Sequence, residues 1–424
     1  MSKIKIIHSI LSLPWFLLFY LMICTPTVFQ NIKIFLLAIA LLEVTVVIFI
    51  NNKGKINLTP VIVFFLLVYI ILGTILTFVG YLHNSIICFD QFRVYVLWPI
   101  LYVLFISIIT KINHIKSIIY ILVVSSFLIG LFSGLILLHE YGFISDFLFP
   151  KLFNRQDATI LNGRIVAMHF KSIDSLMFLA PFVISSIIVW PSEKMGKSIK
   201  VLLFITAILL CIPTFFSARN ALTVVVFISP IISVAILFLT NNENTNIKNK
   251  LKYILLFTIV FCIMAVLYKI NFNQIINKII ANFDCANNLS AMIRREQLIA
   301  LWNGFLDNPL IGAGFGSGVG LERSEKPWAY ELSYALLLFH SGIIGFGFYF
   351  SGIFWIYYSA FKILKNNNNE IISLYLHPII VGMTCFLIAN STNPYLMKFD
   401  YMWVIFIPIG IINYVSMSKK NMRK

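Results

Sequence analysis

The sequence predicts an all-α fold: a polytopic membrane helix bundle of about twelve transmembrane helices, with a long outer-face loop that carries amphipathic helices. The first observation is composition, which is 60% hydrophobic and only 11% charged over 424 residues. The second is a series of long apolar runs separated by short polar loops. The third is that lysines recur in every second loop. These features exclude a soluble domain and predict that residues 1–424 form a single integral membrane domain.

Most of the apolar runs approach the ~20 residues that a helix needs to cross ~30 Å of hydrocarbon. The short polar segment around Arg219 leaves open whether two helices or one broken helix lie there. The predicted spans are 10–29, 32–50, 60–82, 94–109, 117–138, 173–190, 201–216, 221–239, 253–270, 342–361, 371–389 and 401–416.

Orientation follows from the lysines, because cytoplasmic loops of membrane proteins carry an excess of positive charge. With the N-terminus in the cytoplasm, every predicted inner segment is rich in lysine and no run has to be skipped. The arrangement predicts a multi-pass membrane protein with both termini cytoplasmic. The net charge of +16 is then mainly an orientation signal, and it gives no reason to expect a nucleic-acid partner.

The arginines are distributed differently from the lysines. Seven of the eight arginines fall on the predicted outer side, and only Arg423 falls on the inner side. Arginine is a permanently charged planar fork that matches phosphate oxygens two at a time, whereas lysine is a point charge. The sequence therefore predicts that the outer face handles an anion, and a phosphate group fits best.

Two outer loops are long, at 139–172 and 271–341, and long loops in compact proteins are often functional. In the second, the pattern predicts an amphipathic helix over 292–305 that lies across the outer ends of the bundle and stops at Asp307-Asn-Pro309. The glycine-rich stretch 312–320 lacks the Lys-Ser/Thr ending of a phosphate-binding loop. We interpret it as a flexible turn.

Four outer residues at three places in the chain are candidates for function. Arg219 lies between two spans, where an ionisable residue is a functional hypothesis, although an arginine that extends to lipid headgroups explains it too. Arg294 and Arg295 begin the predicted surface helix and point about 100° apart. Glu331 opens an apolar segment. A carboxylate near arginines can act as a general base there, and a structural salt bridge is the alternative.

Three segments resemble the O-antigen ligase and polymerase superfamily of bacterial membrane glycosyltransferases. The first is Asn162-Gly-Arg164 leading toward a span. The second is Ser217-Ala-Arg219-Asn-Ala-Leu222. The third runs from Arg295 through Trp302 and Asn308-Pro-Leu-Ile-Gly312-Ala-Gly314 to the Glu331 segment, which ends in Gly342-Ile-Ile-Gly345. The resemblance covers residues 150–360. Ligases place His-Asn where this chain has Glu331-Leu332, and this difference favours the repeat-unit polymerase branch.

The resemblance implies a metal-independent transferase with no cofactor. It would move a glycan from undecaprenyl pyrophosphate to the free end of a lipid-linked repeat unit on the periplasmic face, within membrane lipid. A chain-length regulator protein is a candidate partner. Arg219 and Glu331 would be catalytic. The expected substrate-binding residues are Arg164, Arg294, Arg295, Trp302, Trp328 and Tyr330. Two alternatives stay open: a ligase that transfers the glycan to lipid A core, and a flippase or transporter of lipid-linked oligosaccharide.

Overall fold

The computed structural model describes residues 13–51, 55–83, 85–144, 157–161, 164–191, 196–217, 219–240, 289–321, 330–366 and 370–422. Thirteen α-helices and two short strands lie in this part of the chain. They are α1 Leu13–Cys24, α2 Gln30–Val46, α3 Pro60–Leu82, α4 Cys88–Phe92, α5 Trp98–Ser107, α6 Ile112–Glu140, β1 Asp157–Leu161, β2 Arg164–His169, α7 Ile173–Val189, α8 Lys197–Phe216, α9 Asn220–Leu239, α10 Leu289–Asp307, α11 Ser333–Lys365, α12 Glu370–Asn390 and α13 Trp403–Met422. A π-helical turn, Arg93–Leu97, joins α4 to α5.

The length and apolar composition of the helices support a membrane protein. Among the described residues, eight helical segments are long and apolar enough to cross a bilayer, and three shorter apolar helices accompany them. Each coincides with one of the predicted spans, and α8 and α9 are two separate helices. The remaining predicted span, 253–270, lies outside the described residues, so the total of twelve stays a prediction.

The chain divides into two compact units, and each is described by itself. Unit 1 comprises Met1–Ala40, Lys111–Ile275 and Phe361–Phe386. Unit 2 comprises Leu41–Thr110, Ile276–Ala360 and Leu387–Lys424. The expectation of one integral membrane domain stays a prediction.

Unit 1 is built around α7, of which every residue from Ile173 to Val189 is buried. A helix that is apolar on all sides needs neighbours on all sides. Small polar side chains supply contacts to them: Ser175 Oγ donates to the Ile23 carbonyl at 2.7 Å, and the Ser185 and Ser233 hydroxyls lie 2.9 Å apart. Such hydrogen bonds between helices are typical of packing inside membranes.

Unit 2 contains α3, α4, α5, α10, α13 and most of α11. Asn413 of α13 accepts from the Thr59 amide at 3.0 Å and donates to the Asn57 carbonyl at 2.9 Å, which ties α13 to the start of α3. Just before α13, the Phe399 carbonyl accepts from the Tyr102 hydroxyl of α5 at 2.9 Å. These bonds satisfy backbone groups that would otherwise be costly in an apolar environment.

The described residues are almost entirely helical, which confirms the all-α fold class, and one short hairpin is the exception. Strands β1 and β2 form an antiparallel hairpin in the first long loop, with Asp157 opposite His169 and Leu161 opposite Arg164. The two residues between the strands are Asn162 and Gly163, a pair favoured in two-residue hairpin connections. The hairpin was not predicted because the apolar runs on either side dominated the pattern of this region.

Candidate functional site

The helix predicted over 292–305 is present as α10, Leu289–Asp307. It ends at Asp307 as predicted, since Pro309 follows closely and cannot continue a helix. Its buried side carries Ala291, Gln297 and Leu301. Its exposed side is largely apolar and includes Ile299 and Trp302. The adjacent arginines separate as their 100° offset predicts, because Arg294 faces protein while Arg295 is exposed.

Arg294 and Glu331 form an ion pair in unit 2. Arg294 Nε donates to Glu331 Oε2 at 2.5 Å, and the two side chains are 26% and 17% exposed. Both are therefore partly withdrawn from water, where a charge-assisted hydrogen bond is stronger than at a fully exposed surface. The pairing joins residues 37 positions apart, so no local sequence pattern could predict it.

Gln297 positions the backbone beside this pair. Its Oε1 accepts from the Glu331 amide at 3.3 Å, and its Nε2 donates to the Leu321 carbonyl at 3.1 Å. Gln297 is completely buried. A single side chain thus links α10, the end of the glycine-rich stretch and the segment that carries Glu331. Sequence analysis missed Gln297 because a lone glutamine in a helix carries no distinctive signal.

The start of α11 is anchored two residues after Glu331. Ser333 Oγ donates to the Asn390 carbonyl, and Asn390 Nδ2 donates back to Ser333 Oγ at 3.1 Å. The Tyr334 hydroxyl donates to the Leu387 carbonyl at 2.7 Å. Asn390 also accepts from the Leu396 amide at 3.0 Å. These bonds fix the Glu331 backbone within unit 2, as a positioned catalytic group requires.

The interpretation of residues 312–320 as a flexible turn is wrong. The Ala313 amide donates to the Phe339 carbonyl at 2.9 Å, the Gly314 amide to the His340 carbonyl at 3.0 Å, and the Phe315 amide to the Leu76 carbonyl at 2.9 Å. The Phe315 side chain is completely buried. The stretch is a fixed segment inserted between helices, and we call residues 312–320 the glycine segment.

Glycine is needed in this segment for two reasons. Gly312, Gly314, Gly316 and Gly320 have positive φ angles of 74° to 83°, which side chains disfavour. The second reason is the close approach of the segment to helix backbone. A Cβ on Gly314 would lie 2.4 Å from the Gly80 nitrogen of α3, so any side chain would collide with helix backbone. Sequence analysis could not show these contacts, because they join residues more than two hundred positions apart.

The glycine segment lies beside a break in α11. Gly342 has φ 58° and ψ −172° and interrupts the helix. Beyond the break, the Ile343 amide donates to the Pro309 carbonyl at 2.9 Å and the Ile344 amide to the Leu310 carbonyl at 3.3 Å. Non-helical backbone within a membrane helix is tolerated where protein groups satisfy it. The 309–310 backbone performs that role here.

Arg219 lies in unit 1, in the short connection between α8 and α9. Its Nη2 lies 3.5 Å from Asp174 Oδ1, and the side chains are 44% and 10% exposed. Asp174 occupies the first turn of buried α7, so Arg219 supplies a countercharge to a buried carboxylate. The ion pair adds a structural role to the two hypotheses for Arg219. Nothing in the sequence indicated this pairing, because Asp174 lies 45 positions before Arg219.

The remaining predicted residues differ in their surroundings. Arg164 begins strand β2. Trp302 is 51% exposed, with its ring 5.3 Å from that of Phe305. Tyr330 is completely buried, and its hydroxyl accepts from the Val319 amide at 2.7 Å, so it supports the glycine segment instead of presenting a ring to a ligand. Trp328 lies outside the described residues.

No protein-family model matches this chain, and no curated protein is significantly similar to it in sequence. The resemblance of residues 150–360 to the ligase and polymerase superfamily therefore stays a hypothesis that depends on its motifs.

Proposed function

We propose that this protein is a surface-polysaccharide repeat-unit polymerase, such as an O-antigen polymerase. It would transfer a glycan from undecaprenyl pyrophosphate to the free end of another lipid-linked repeat unit, at the periplasmic face of a bacterial inner membrane. The observation that carries the proposal is the Arg294–Glu331 pair, a partly buried carboxylate held at 2.5 Å in an anchored segment. The apolar helices and the motifs of residues 150–360 support it.

The proposed reaction is a displacement at the anomeric carbon of the donor glycan. The acceptor hydroxyl oxygen forms a bond to that carbon, and the bond from the carbon to the pyrophosphate oxygen breaks with its electron pair. Glu331 takes the acceptor proton as a general base, a role that typically contributes ~10²–10⁴ in rate. Arg294 and Gln297 hold the carboxylate and its backbone in place.

The leaving pyrophosphate gains charge during this step, and arginines are suited to bind it. In unit 2, exposed Arg295 is suited to this role. Arg219 and Arg164 remain the pyrophosphate-binding residues that the resemblance implies. No metal or nucleotide enters the step, because the pyrophosphate already activates the anomeric carbon. Exposed Trp302 is suited to stack on a sugar, whereas buried Tyr330 acts only as a positioning residue.

A transporter is the second candidate, because the break at Gly342 resembles the discontinuous helices that bind substrates in transporters. In those proteins the half-helix termini point at the substrate. Here the Ile343 and Ile344 amides are already bonded to the Pro309 and Leu310 carbonyls. The break is thus closed by protein backbone, and this favours a structural role for it. A ligase would transfer the glycan to lipid A core, so the product of the reaction distinguishes a ligase from a polymerase.

The direct test uses the purified full-length protein in lipid nanodiscs, with the lipid-linked repeat unit isolated from the producing cells. Product length is followed on a gel. Glu331→Gln keeps the shape and most hydrogen bonds of the side chain but cannot serve as the base. We expect its polymerisation rate to fall by ~10²–10⁴. Glu296→Gln is the matched control, because Glu296 is an exposed carboxylate on α10, and it should polymerise normally.

Loss of fold is monitored through the melting temperature and the elution profile of each variant. Polymerisation by Glu331→Gln at the wild-type rate, in a protein that melts normally, contradicts the proposed role. A structural salt bridge would then be the better explanation of Glu331.

A further inference from the structure

A second feature of unit 2 is a cleft of about 810 Å³ near the C-terminal end of α10. Binding sites for small molecules usually measure roughly 300–1,000 Å³, so its size suits a ligand. One wall is the end of α10, a second is the glycine segment, and a third is the connection between α3 and α4. The polar side chains that line it are His83, Ser85, Asp307, Asn308 and Ser317.

The lining of the cleft favours a neutral ligand with many hydroxyl groups. Among the described residues, its lining contains one carboxylate, from Asp307, and neither lysine nor arginine, and this charge disfavours a phosphate. Gly318 and Gly320 line the cleft and are exposed, so they offer bare backbone amides and carbonyls as hydrogen-bond partners. The described residues contain no group of three or more His, Cys, Asp or Glu side chains that could hold a metal ion. Sugar hydroxyls fit this mixture of neutral donors and acceptors.

The walls of the cleft are fixed before any ligand binds. Ser85 Oγ donates to the Gly316 carbonyl at 2.7 Å, and His83 Nδ1 lies 3.0 Å from the Ala313 carbonyl. Because a carbonyl can only accept, Nδ1 carries the proton, and Nε2 of a neutral His83 is an acceptor. Preorganised polar groups lower the entropic cost of binding.

The cleft is connected to the Arg294–Glu331 pair through three hydrogen bonds already described. Val319, which lines the cleft, donates its amide to Tyr330, and Gln297 joins Leu321 to the Glu331 amide. The two places are nevertheless far apart. Thirteen residues of α10 separate Arg294 from Asp307, which corresponds to ~20 Å at 1.5 Å per residue. A single sugar cannot occupy both places, but an oligosaccharide can extend from one to the other.

We infer that this cleft binds neutral sugars of the acceptor repeat unit, several units away from the hydroxyl that reacts near Glu331. The inference rests on the proposed function for the identity of the ligand. Binding energy from remote parts of a substrate positions the reacting end. The cleft would thus hold the growing glycan in register for Glu331, and it would favour acceptors that carry the correct sugars at that distance.

The test measures direct binding, so that it does not depend on turnover. The probe is the repeat-unit oligosaccharide released by hydrolysis from the carrier lipid of the producing cells, titrated into the full-length protein in nanodiscs. We expect the double variant Asp307→Ala, Asn308→Ala to bind about tenfold or more weakly, because each lost hydrogen bond weakens binding severalfold. Asn303→Ala is the matched control, because Asn303 is exposed on α10 and does not line the cleft.

Each outcome of this titration has a distinct meaning. Equal binding by the wild type and the double variant overturns the inference, as does absence of binding by the wild type. Inorganic pyrophosphate is titrated in parallel, and its loss of binding in the double variant would show an anion site and also overturn the inference. If the wild type does not polymerise the lipid-linked repeat unit while the double variant loses binding of the oligosaccharide, the proposed function fails and the sugar cleft stands.

Discussion

At the scale of single residues, the site depends on two adjacent arginines in different surroundings. Arg294 is 26% exposed and bonded to Glu331, while Arg295 is exposed. The sequence shows the dipeptide, and helical geometry predicts that the two side chains diverge. The sequence does not show which of the two arginines faces a carboxylate, because Glu331 lies 37 positions away. That information exists only in the folded chain.

The stability of the two arginine variants should therefore differ. Arg294→Ala removes a charge-assisted hydrogen bond from a partly buried carboxylate, so we expect a loss of about 2 kcal/mol in the free energy of unfolding. Arg295→Ala alters an exposed position and should cost under about 0.5 kcal/mol. Thermal unfolding of both variants in the same detergent measures the difference. Equal melting temperatures would show that the Arg294–Glu331 bond contributes nothing to the fold.

Arg219 is tested by a substitution that keeps its charge. Arg219→Lys retains a cation but loses the planar fork, so we expect severe loss of polymer at normal protein level. Arg423→Lys, on the predicted inner face, should leave polymer unchanged. Polymer length and protein level in membranes are the two measurements. Full activity of Arg219→Ala would leave its ion pair with Asp174 and contact with lipid headgroups as the remaining explanations.

At the scale of elements, the glycine segment determines how the site is supported. Gly314 combines a φ of 83° with a Cβ position 2.4 Å from the Gly80 nitrogen. Gly314→Ala should therefore destabilise the protein by about 3 kcal/mol or more, through backbone strain and collision together. Gly320→Ala is the control, because its φ is 74° but nothing lies within 4 Å of its Cβ position. It should cost only about 1 kcal/mol.

Melting temperatures of the two alanine variants decide between a packed and a mobile segment. A clearly larger drop for Gly314→Ala than for Gly320→Ala supports the packed arrangement. If both variants have the same melting temperature as the wild type, the glycine segment does not pack against α3 as described.

Elements were predictable from sequence to different degrees. Spans such as α3 and α9 follow from hydropathy, and the end of α10 at Asp307 follows from proline chemistry, because these signals are local. The β1–β2 hairpin had a local signal in Asn162-Gly163 that apolar runs on either side obscured. The fixed conformation of the glycine segment had no local signal. The carbonyls that accept hydrogen bonds from it belong to Leu76 and His340, which lie far from each other in sequence. The anchoring of Glu331 through Gln297 and Asn390 is equally non-local.

At the scale of the whole molecule, the proposal depends on orientation. If the lysine-rich loops are cytoplasmic, reporter fusions at Lys53, Lys197 and Lys250 should give a cytoplasmic signal. Fusions at Asp157 and Glu325 should report the periplasm, where lipid-linked repeat units would be joined. The fusions are compared at matched expression levels. A cytoplasmic signal from either long loop would exclude the proposed outer-face reaction.

The most direct test of the central claim is the surface glycan of cells whose own copy is deleted and replaced by Glu331→Gln. The proposal predicts that long polymer disappears while single repeat units still reach their usual acceptor through a separate ligase. A ligase that lost its base would leave no glycan on that acceptor, and a blocked flippase would leave no repeat unit outside to attach. Wild-type chain lengths in the Glu331→Gln strain, at normal protein level, would contradict the account.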